Sequence, residues 1–326
     1  MILVLIICTY KRVAALRSLL ESVRRQTRYP DRILIVDGSP DNETRTMLAT
    51  ETFFKLEYFK VEPHERGLTK QRNFGIARSG LADIIAFLDD DTILEPDYFA
   101  ELLRVYETHP DAIGAGGYIT NEVKWQKGSS NLQNPFCYDG WCREEGTRWT
   151  LRRKLRLDST VPPGYMPTFG HGRSVSFLPP SGKIYPVQQL MGGVSSFRKS
   201  VFETFTFSTY FQGYGLYEDA DFTLRVSGKG QLYLNTAARL GHFHEASGRP
   251  DRSAYGRMVV RNGWYVWRVA NPDPNLKDCI KWHSITGLLL LVRLVNVFTG
   301  PRRQESFKEV IGRLGGWFSL FLHPPK

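Results

Sequence analysis

The run Phe87-Leu88-Asp89-Asp90-Asp91-Thr92 places three carboxylates side by side after the apolar stretch Ile84–Leu88. Adjacent carboxylates repel one another and are costly to bury unless a cation joins them. A hard divalent ion held by one or two of them, with phosphate oxygens completing its shell, relieves that repulsion. The plainer alternative is a solvated turn in which Asp91 or Thr92 caps a helix beginning near Pro96. A second acid, Asp37, ends the apolar run Ile33–Val36. A third group, Glu218, Asp219 and Asp221, opens a helical stretch, where acids also favour the helix dipole. A carboxylate set apart from metal-binding acids is what an attacking hydroxyl needs as a general base. Downstream, His242 and His244 alternate, so on a strand they share one face, and a neutral imidazole can complete a metal shell.

The elements that must position these groups follow from periodicity. Met1–Cys8 reads as a buried strand, and Val13, Leu16, Leu19, Leu20 and Val23 mark one face of a helix. Ile33–Val36 and Leu56–Val61 read as further strands, and Thr69–Ser79 as a helix capped by Thr69. Ile84–Leu88 is a strand, Pro96–His109 a helix with proline at its start, and Ala112–Ile119 a glycine-rich strand. Strand–helix alternation of this kind predicts a parallel sheet covered by helices. Ligands of such sheets bind beyond the carboxyl ends of the strands, so Asp37 and the aspartate run should share one crevice. Residues 121–187 lose the rhythm and are rich in Gly, Pro, Trp, Tyr and Arg, which predicts long loops forming a binding insertion. Gln188–Arg198 resumes as a strand, Asp219–Val226 as a helix and Gln231–Leu234 as a short strand. From about Ser253 the pattern is helical.

Composition narrows the classes. The 326 residues are 42% hydrophobic and 23% charged, which excludes disorder, collagen and coiled coil for the whole chain. The net charge of +10 favours an anionic partner: nucleic acid, anionic lipid or a phosphate-bearing substrate. A nucleic-acid-binding protein would spread its basic residues along a groove. Here acids gather at strand ends, where they would repel a phosphate backbone, so no nucleic-acid partner is expected. Four cysteines are too few for a disulfide scaffold. Cys137 and Cys142 are expected as reduced thiols, with a bridge or half a metal site as alternatives. Ile2–Cys8 lacks a basic flank and a cleavage site, so a strand explains it better than a leader. Ile285–Phe298 is the longest apolar stretch, but Arg293 and Asn296 interrupt it.

Taken in chain order, these pieces resemble the family 2 glycosyltransferases, nucleotide-diphospho-sugar transferases of the GT-A fold. The resemblance rests on Thr9-Tyr10-Lys11-Arg12, on Val36-Asp37-Gly38-Ser39-Pro40-Asp41, and on Gly67 with Arg72-Asn73-Phe74-Gly75. It continues through the Asp-x-Asp element of Asp89–Asp91 and through Gly192-Gly193 with Arg198 and Val201-Phe202. It ends in Tyr217-Glu218-Asp219-Ala220-Asp221-Phe222 with Arg225. It covers roughly residues 1–120 and 188–265. It implies an α/β, mostly parallel Rossmann-like sheet flanked by helices. The catalytic domain would span residues 1–265, with 121–187 as an acceptor-side insertion, and a helical extension would span 266–326.

The activity implied is an inverting, Mg2+- or Mn2+-dependent transfer of a sugar from a nucleotide-diphosphate donor to a saccharide or lipid-linked saccharide. By the resemblance, Thr9, Arg12 and Asp37 line the base pocket and Arg72 approaches the base or diphosphate. Asp89 holds the ribose, Asp90 stands with it on the donor side, and Asp91 binds the metal. Asp219 is the base, next to Glu218. One of His242 and His244 is a metal ligand, with His242 favoured by its spacing to Ser247-Gly248-Arg249. Relatives often carry two acidic or amide positions before Gly-Ser where this chain has only Asp37, which leaves the base contact open. A nucleotidyltransferase uses a related acidic site, but its glycine-rich, lysine-bearing phosphate loop has no counterpart after Cys8.

On the acceptor side, Trp125, Phe136, Tyr138, Trp141 and Trp149 offer faces for sugar stacking or serve as core. Arg148, Arg152, Arg153, Lys154 and Arg156 form either a solvated face or a contact for an acceptor phosphate or anionic membrane. Ile311, Leu314, Phe318, Phe321 and Leu322 share a helical face. With Ile285–Phe298 they fit an interfacial anchor, or packing on the catalytic domain or a second subunit. The setting expected is the cytoplasm, at the inner face of the cell membrane, in synthesis of cell-surface polysaccharide or glycolipid.

Overall fold

The computed structural model describes residues 1–128, 131–244 and 250–325. The chain begins with the strand–helix alternation that the apolar pattern predicts. In order come β1 (Leu3–Thr9), α1 (Val13–Arg24), β2 (Arg32–Asp37), α2 (Glu43–Thr50), β3 (Leu56–Lys60) and α3 (Leu68–Arg78). Next are β4 (Ile84–Asp89), β5 (Thr92–Leu94), α4 (Tyr98–Thr108) and β6 (Ala112–Ile119). A stretch with the short strands β7 (Gln126–Lys127), β8 (Pro135–Tyr138) and β9 (Trp141–Glu144), and with α5 (Thr147–Lys154), follows. Then come β10 (Ile184–Val187), β11 (Val194–Arg198), α6 (Glu218–Ser227) and β12 (Gln231–His242). The chain closes with α7 (Arg252–Ala270), α8 (Leu276–Thr299) and α9 (Arg303–Leu322).

These elements form two compact units, one of Met1–Trp125 with Val175–Gly248 and the other of Gln126–Ser174 with Arg249–Lys326. The first holds a mixed sheet in the order β10-β12-β6-β11-β4-β1-β2-β3, with β5 added to β12. β1, β2, β3 and β4 run parallel. β11 is inserted antiparallel between β4 and β6. Both faces of the central strands are covered, which is why β1 reads Leu-Val-Leu-Ile-Ile without alternation. α1 turns Leu16, Leu19, Leu20 and Val23 inward at helical spacing, onto a core that includes Leu3, Leu5 and Ile35.

Three local expectations are corrected. Gly67, not Thr69, stands at the N-cap of α3, at a φ of 118° suited to glycine; Thr69 lies inside the helix and donates to the Phe211 carbonyl at 3.2 Å. Thr92 does not cap the following helix but opens β5. The short strand at Gln231–Leu234 continues as far as His242, with an irregularity between Leu234 and Arg239. Polar positions at that break are satisfied by other segments: Asn235 donates to the Glu101 carbonyl at 2.8 Å and Thr236 to the Lys183 carbonyl at 2.9 Å.

The second unit contains the sheet β7-β9-β8 and the helices α5, α7, α8 and α9. Cys137 and Cys142 are directly opposed across β8 and β9, with Cα atoms 4.1 Å apart, and form a disulfide, so the expected reduced thiols are corrected. Trp149 is core, and Arg152 is buried, donating to the carbonyls of Leu157 and His171 at 3.1 and 3.0 Å. Arg148, Lys154 and Arg156 are exposed, as both readings of the basic run require, whereas buried Arg152 fits neither. Asp251 caps α7 and Asn275 caps α8 through backbone N–H groups. α7 and α9 touch backbone to backbone: a Cβ on Gly312 would fall 2.0 Å from the Ser253 carbonyl oxygen, so only glycine fits. Trp267, Trp282, Val260 and Leu320 form this unit's core.

Candidate active site

The parallel register aligns the strand ends. Thr9 pairs with Asp37 and Cys8 with Asp89, so the acids at the ends of β2 and β4 flank the end of β1. The strand ends predicted to share one crevice are thus adjacent. Asp37 closes β2 among them. Its carboxylate is fully buried and accepts from the Ser39 N–H at 2.7 Å and the Tyr58 hydroxyl at 2.9 Å. Gln71 ties the same strand ends together, donating to the carbonyls of Val36 and Thr9 at 2.8 and 3.2 Å.

The three adjacent aspartates take different roles. Asp90 turns inward, accepting from the Thr9 hydroxyl at 2.7 Å and Arg12 Nη1 at 3.0 Å. Burial pushes its carboxyl up to about 7 against the pull of Arg12. Asp89 is the most open of the three and lies 3.5 Å from Arg72 Nη2. Asp91 is buried and meets His242 Nε2 through Oδ1 at 3.1 Å. Ligand atoms of Asp89, Asp91 and His242 lie within 4.8 Å of one another. Two carboxylates and an imidazole at that separation suit a divalent ion. Burial opposes charge on His242, but its contacts with Asp91 and Glu122 outweigh that and push the imidazole up to about 10.

Opposite this group stands the N-terminus of α6. Arg72, buried on α3, forms an ion pair with Glu218 and lies over the rings of Phe87 and Phe207. The other oxygen of Glu218, Oε2, is buried without a hydrogen-bond partner among the described residues. Asp219 accepts from the Gly192 N–H at 3.2 Å and the Ala220 N–H at 2.8 Å. Burial raises the carboxyls of both Glu218 and Asp219. Asp221 faces away from these groups in role: it is fully buried and paired with Arg225 at 2.7 Å. Two glycines let the halves approach. A Cβ on Gly193 would fall 2.0 Å from Asp89 Oδ2, and one on Gly192 would fall 2.5 Å from Glu218 Oε1. Tyr217, just before α6, has a φ of 70°, a strained conformation for a non-glycine residue.

Of the two histidines, His242 meets Asp91, while His244 is exposed and meets Glu122 at 2.9 Å. The spacing argument that favoured His242 falls on Ser247-Gly248-Arg249, which lie outside the described residues. Sequence reasoning missed Glu122, Asn121, Gln71 and Tyr58. A signal existed for the first two: they directly follow the glycine-rich strand β6, whose carboxyl end opens onto the same side as that of its parallel neighbour β12.

Comparison with known proteins agrees with this architecture. Residues 4–175 match the model of glycosyl transferase family 2. Over 119 residues the chain is 31% identical to glucosyl-dolichyl phosphate glucuronosyltransferase of Haloferax volcanii, covering 35% of this chain and 37% of that protein. Over 106 residues it is 29% identical to the O-antigen chain rhamnosyltransferase RfbN of Salmonella typhimurium, covering 32% and 33%. The chain thus spans about a third of the length of these curated relatives. A crystal structure of GalNAc-T7 with UDP, GalNAc and Mn2+ superposes with a TM-score of 0.52 at 18% identity, covering 82% of this chain and 48% of that one. That likeness is one of fold, and the fold is the GT-A sheet that the motif order implies. With a family match over more than half its length and the corresponding fold, the chain belongs to glycosyl transferase family 2.

Proposed function

We propose that this chain transfers a sugar from a nucleotide-diphosphate donor to a saccharide or lipid-linked saccharide, with inversion, in the building of a cell-surface glycan. The observation that carries this reading is the juxtaposition of Asp89, Asp91 and His242 with the Glu218–Asp219 pair, linked through buried Arg72. Asp89, Asp91 and His242 would hold a divalent ion, whose chemistry is to offset the charge growing on a departing diphosphate; the closeness of Asp89 to Asp91 and His242 favours this place for it over the ribose contact that the resemblance implies. Arg72 sets Glu218 in place, and Asp219 takes the proton of the acceptor hydroxyl. Burial raises Asp219, which makes it a stronger base than an open aspartate once ionised. A single displacement with one base inverts the anomeric centre. The buried oxygen of Glu218 that lacks a hydrogen-bond partner suits a substrate hydroxyl, since an unsatisfied buried acceptor is costly.

The relatives' names support the acceptor class: one acts on a glucosyl-dolichyl phosphate and another on an O-antigen chain. The exposed apolar residues of α8 and α9 support a place at the membrane surface, where lipid-linked acceptors reside. The test is a thermal-shift screen of nucleotide sugars with Mn2+ or Mg2+. One donor should raise the Tm only with the metal. Asp219→Asn should keep that shift and lose turnover by about 10²-fold or more. A protein that no nucleotide stabilises would remove the donor site, and a fully active Asp219→Asn would remove the base.

A further inference from the structure

The carboxylate of Glu122 belongs to neither acidic motif, yet it sits against both histidines. Its Oε1 lies 3.1 Å from His242 Nδ1 and 2.9 Å from His244 Nε2. The opposite nitrogen of His242, Nε2, faces Asp91 at 3.1 Å. Once a cation takes the place of the Nε2 proton, an imidazole whose Nδ1 proton stays on a carboxylate presents its Nε2 lone pair to that cation. The preceding residue secures the backbone of the same histidine. Asn121 donates to the His242 carbonyl at 2.8 Å and accepts its N–H at 2.9 Å, imitating a strand partner at the end of β12. Two consecutive side chains therefore fix one histidine, Asn121 by its main chain and Glu122 by its ring.

We infer that Asn121 and Glu122 are positioning residues that aim His242 Nε2 at the cation site of Asp89 and Asp91, and that this pair gives the site its preference for an imidazole-accepting ion. The inference rests on the metal-dependent reading above and deepens it. Carboxylates that orient a ligating histidine typically account for 10–100-fold in metal affinity. Magnesium keeps most of its water and takes carboxylate oxygens, so it depends little on the aim of an imidazole. His244, the more exposed of the two histidines, shares Glu122 Oε1 with His242, and its ligand atom clusters with those two residues but not with Asp89 and Asp91.

The experiment uses the full chain without nucleotide and the metal alone. Mn2+ binding is read from the loss of the free-ion signal in electron paramagnetic resonance, and Mg2+ binding by competition, with the metal-free Tm measured alongside. Glu122→Gln should weaken Mn2+ about tenfold or more and Mg2+ less than about threefold, with the metal-free Tm unchanged. Glu122→Asp, which can still accept from Nδ1, should recover part of the Mn2+ affinity. His244→Ala should bind Mn2+ at least as well as the original chain. Unaltered Mn2+ affinity in Glu122→Gln would overturn the inference, as would equal losses for both ions. A Mn2+ loss in His244→Ala matching that of His242→Ala would overturn it too, since His244 would then be the ligand. If the unmodified chain binds neither ion, the metal-dependent reading falls, and the inference with it.

Discussion

Close approach at single residues decides how the site is assembled. Gly193 shows this most sharply, because the β11 entry passes so near Asp89 that a methyl group there would overlap the carboxylate. The two backbones are also tied there, with the Asp89 N–H donating to the Gly193 carbonyl at 3.0 Å. Gly193→Ala should therefore push Asp89 from its place, lowering stability by about 1–3 kcal/mol through overpacking and weakening Mn2+ binding as well. Gly146→Ala is the control: it opens onto empty space, and its Tm should stay near the original. Equal behaviour of the two variants in melting and metal binding would show that the Asp89 contact is not tight. Charge at this scale is balanced pairwise. Arg12 answers Asp90, Arg72 answers Glu218, and His242 answers Asp91. The three adjacent aspartates are thus tolerated by being sent in different directions.

At the scale of elements, what was legible depended on whether neighbours in sequence were also neighbours in the sheet. The alignment of Asp37 and Asp89 was legible because β1, β2 and β4 are apolar runs in parallel register, so strand ends coincide. β12 was truncated in the sequence reading because Asn235, Thr236 and Arg239 break its alternation, and their satisfaction by Glu101 and Lys183 comes from distant parts of the chain. The Glu122–His242 contact was hidden for the same reason. The hairpin of β8 and β9 did carry a signal: Asp139-Gly140, with φ of 50° and 77°, is the residue pair that a tight two-residue turn favours. That turn, rather than the cysteine spacing, sets Cys137 opposite Cys142. A helix contact of the second unit gives a pH test. His171 joins the Gly263 carbonyl of α7 at 3.1 Å, and burial lowers its imidazole from 6.5 to about 4. Below about pH 6.5 the unfolded chain takes up a proton that the folded chain refuses, so stability is complete above that pH and falls as pH drops toward 4. The full loss is on the order of 3 kcal/mol, and urea titrations of His171→Gln at pH 7, 6 and 5 should show a flatter dependence than the original chain. Parallel curves would mean that His171 titrates normally when folded.

For the whole molecule, an excess of ten positive charges accompanies an uneven distribution of apolar surface. Large exposed apolar side chains gather on α8 and α9, among them Leu291, Val295, Phe298, Phe307, Phe318 and Phe321. Among the described residues α8 is the one helix long and apolar enough to cross a bilayer, and little of it is fully buried. Crossing would carry Arg293 into the apolar layer, whereas Arg293 pairs with Glu309 of α9 at 2.6 Å, a link that holds the two helices side by side. The proposed membrane contact therefore predicts helices lying flat in the interface, with Arg302 and Arg303, at the turn between them, toward lipid headgroups and the phenylalanines toward the acyl boundary. The chain should float with vesicles rich in phosphatidylglycerol and far less with pure phosphatidylcholine, and added salt should weaken the association. Phe318→Asp with Phe321→Asp should abolish flotation while leaving metal-dependent donor binding intact, because both side chains are largely exposed, Phe321 with one face on the His283 ring. Flotation that survives this pair would place the lipid contact elsewhere. A dimer in lipid-free buffer that the same pair dissociates would assign the apolar face to a second copy of the chain instead.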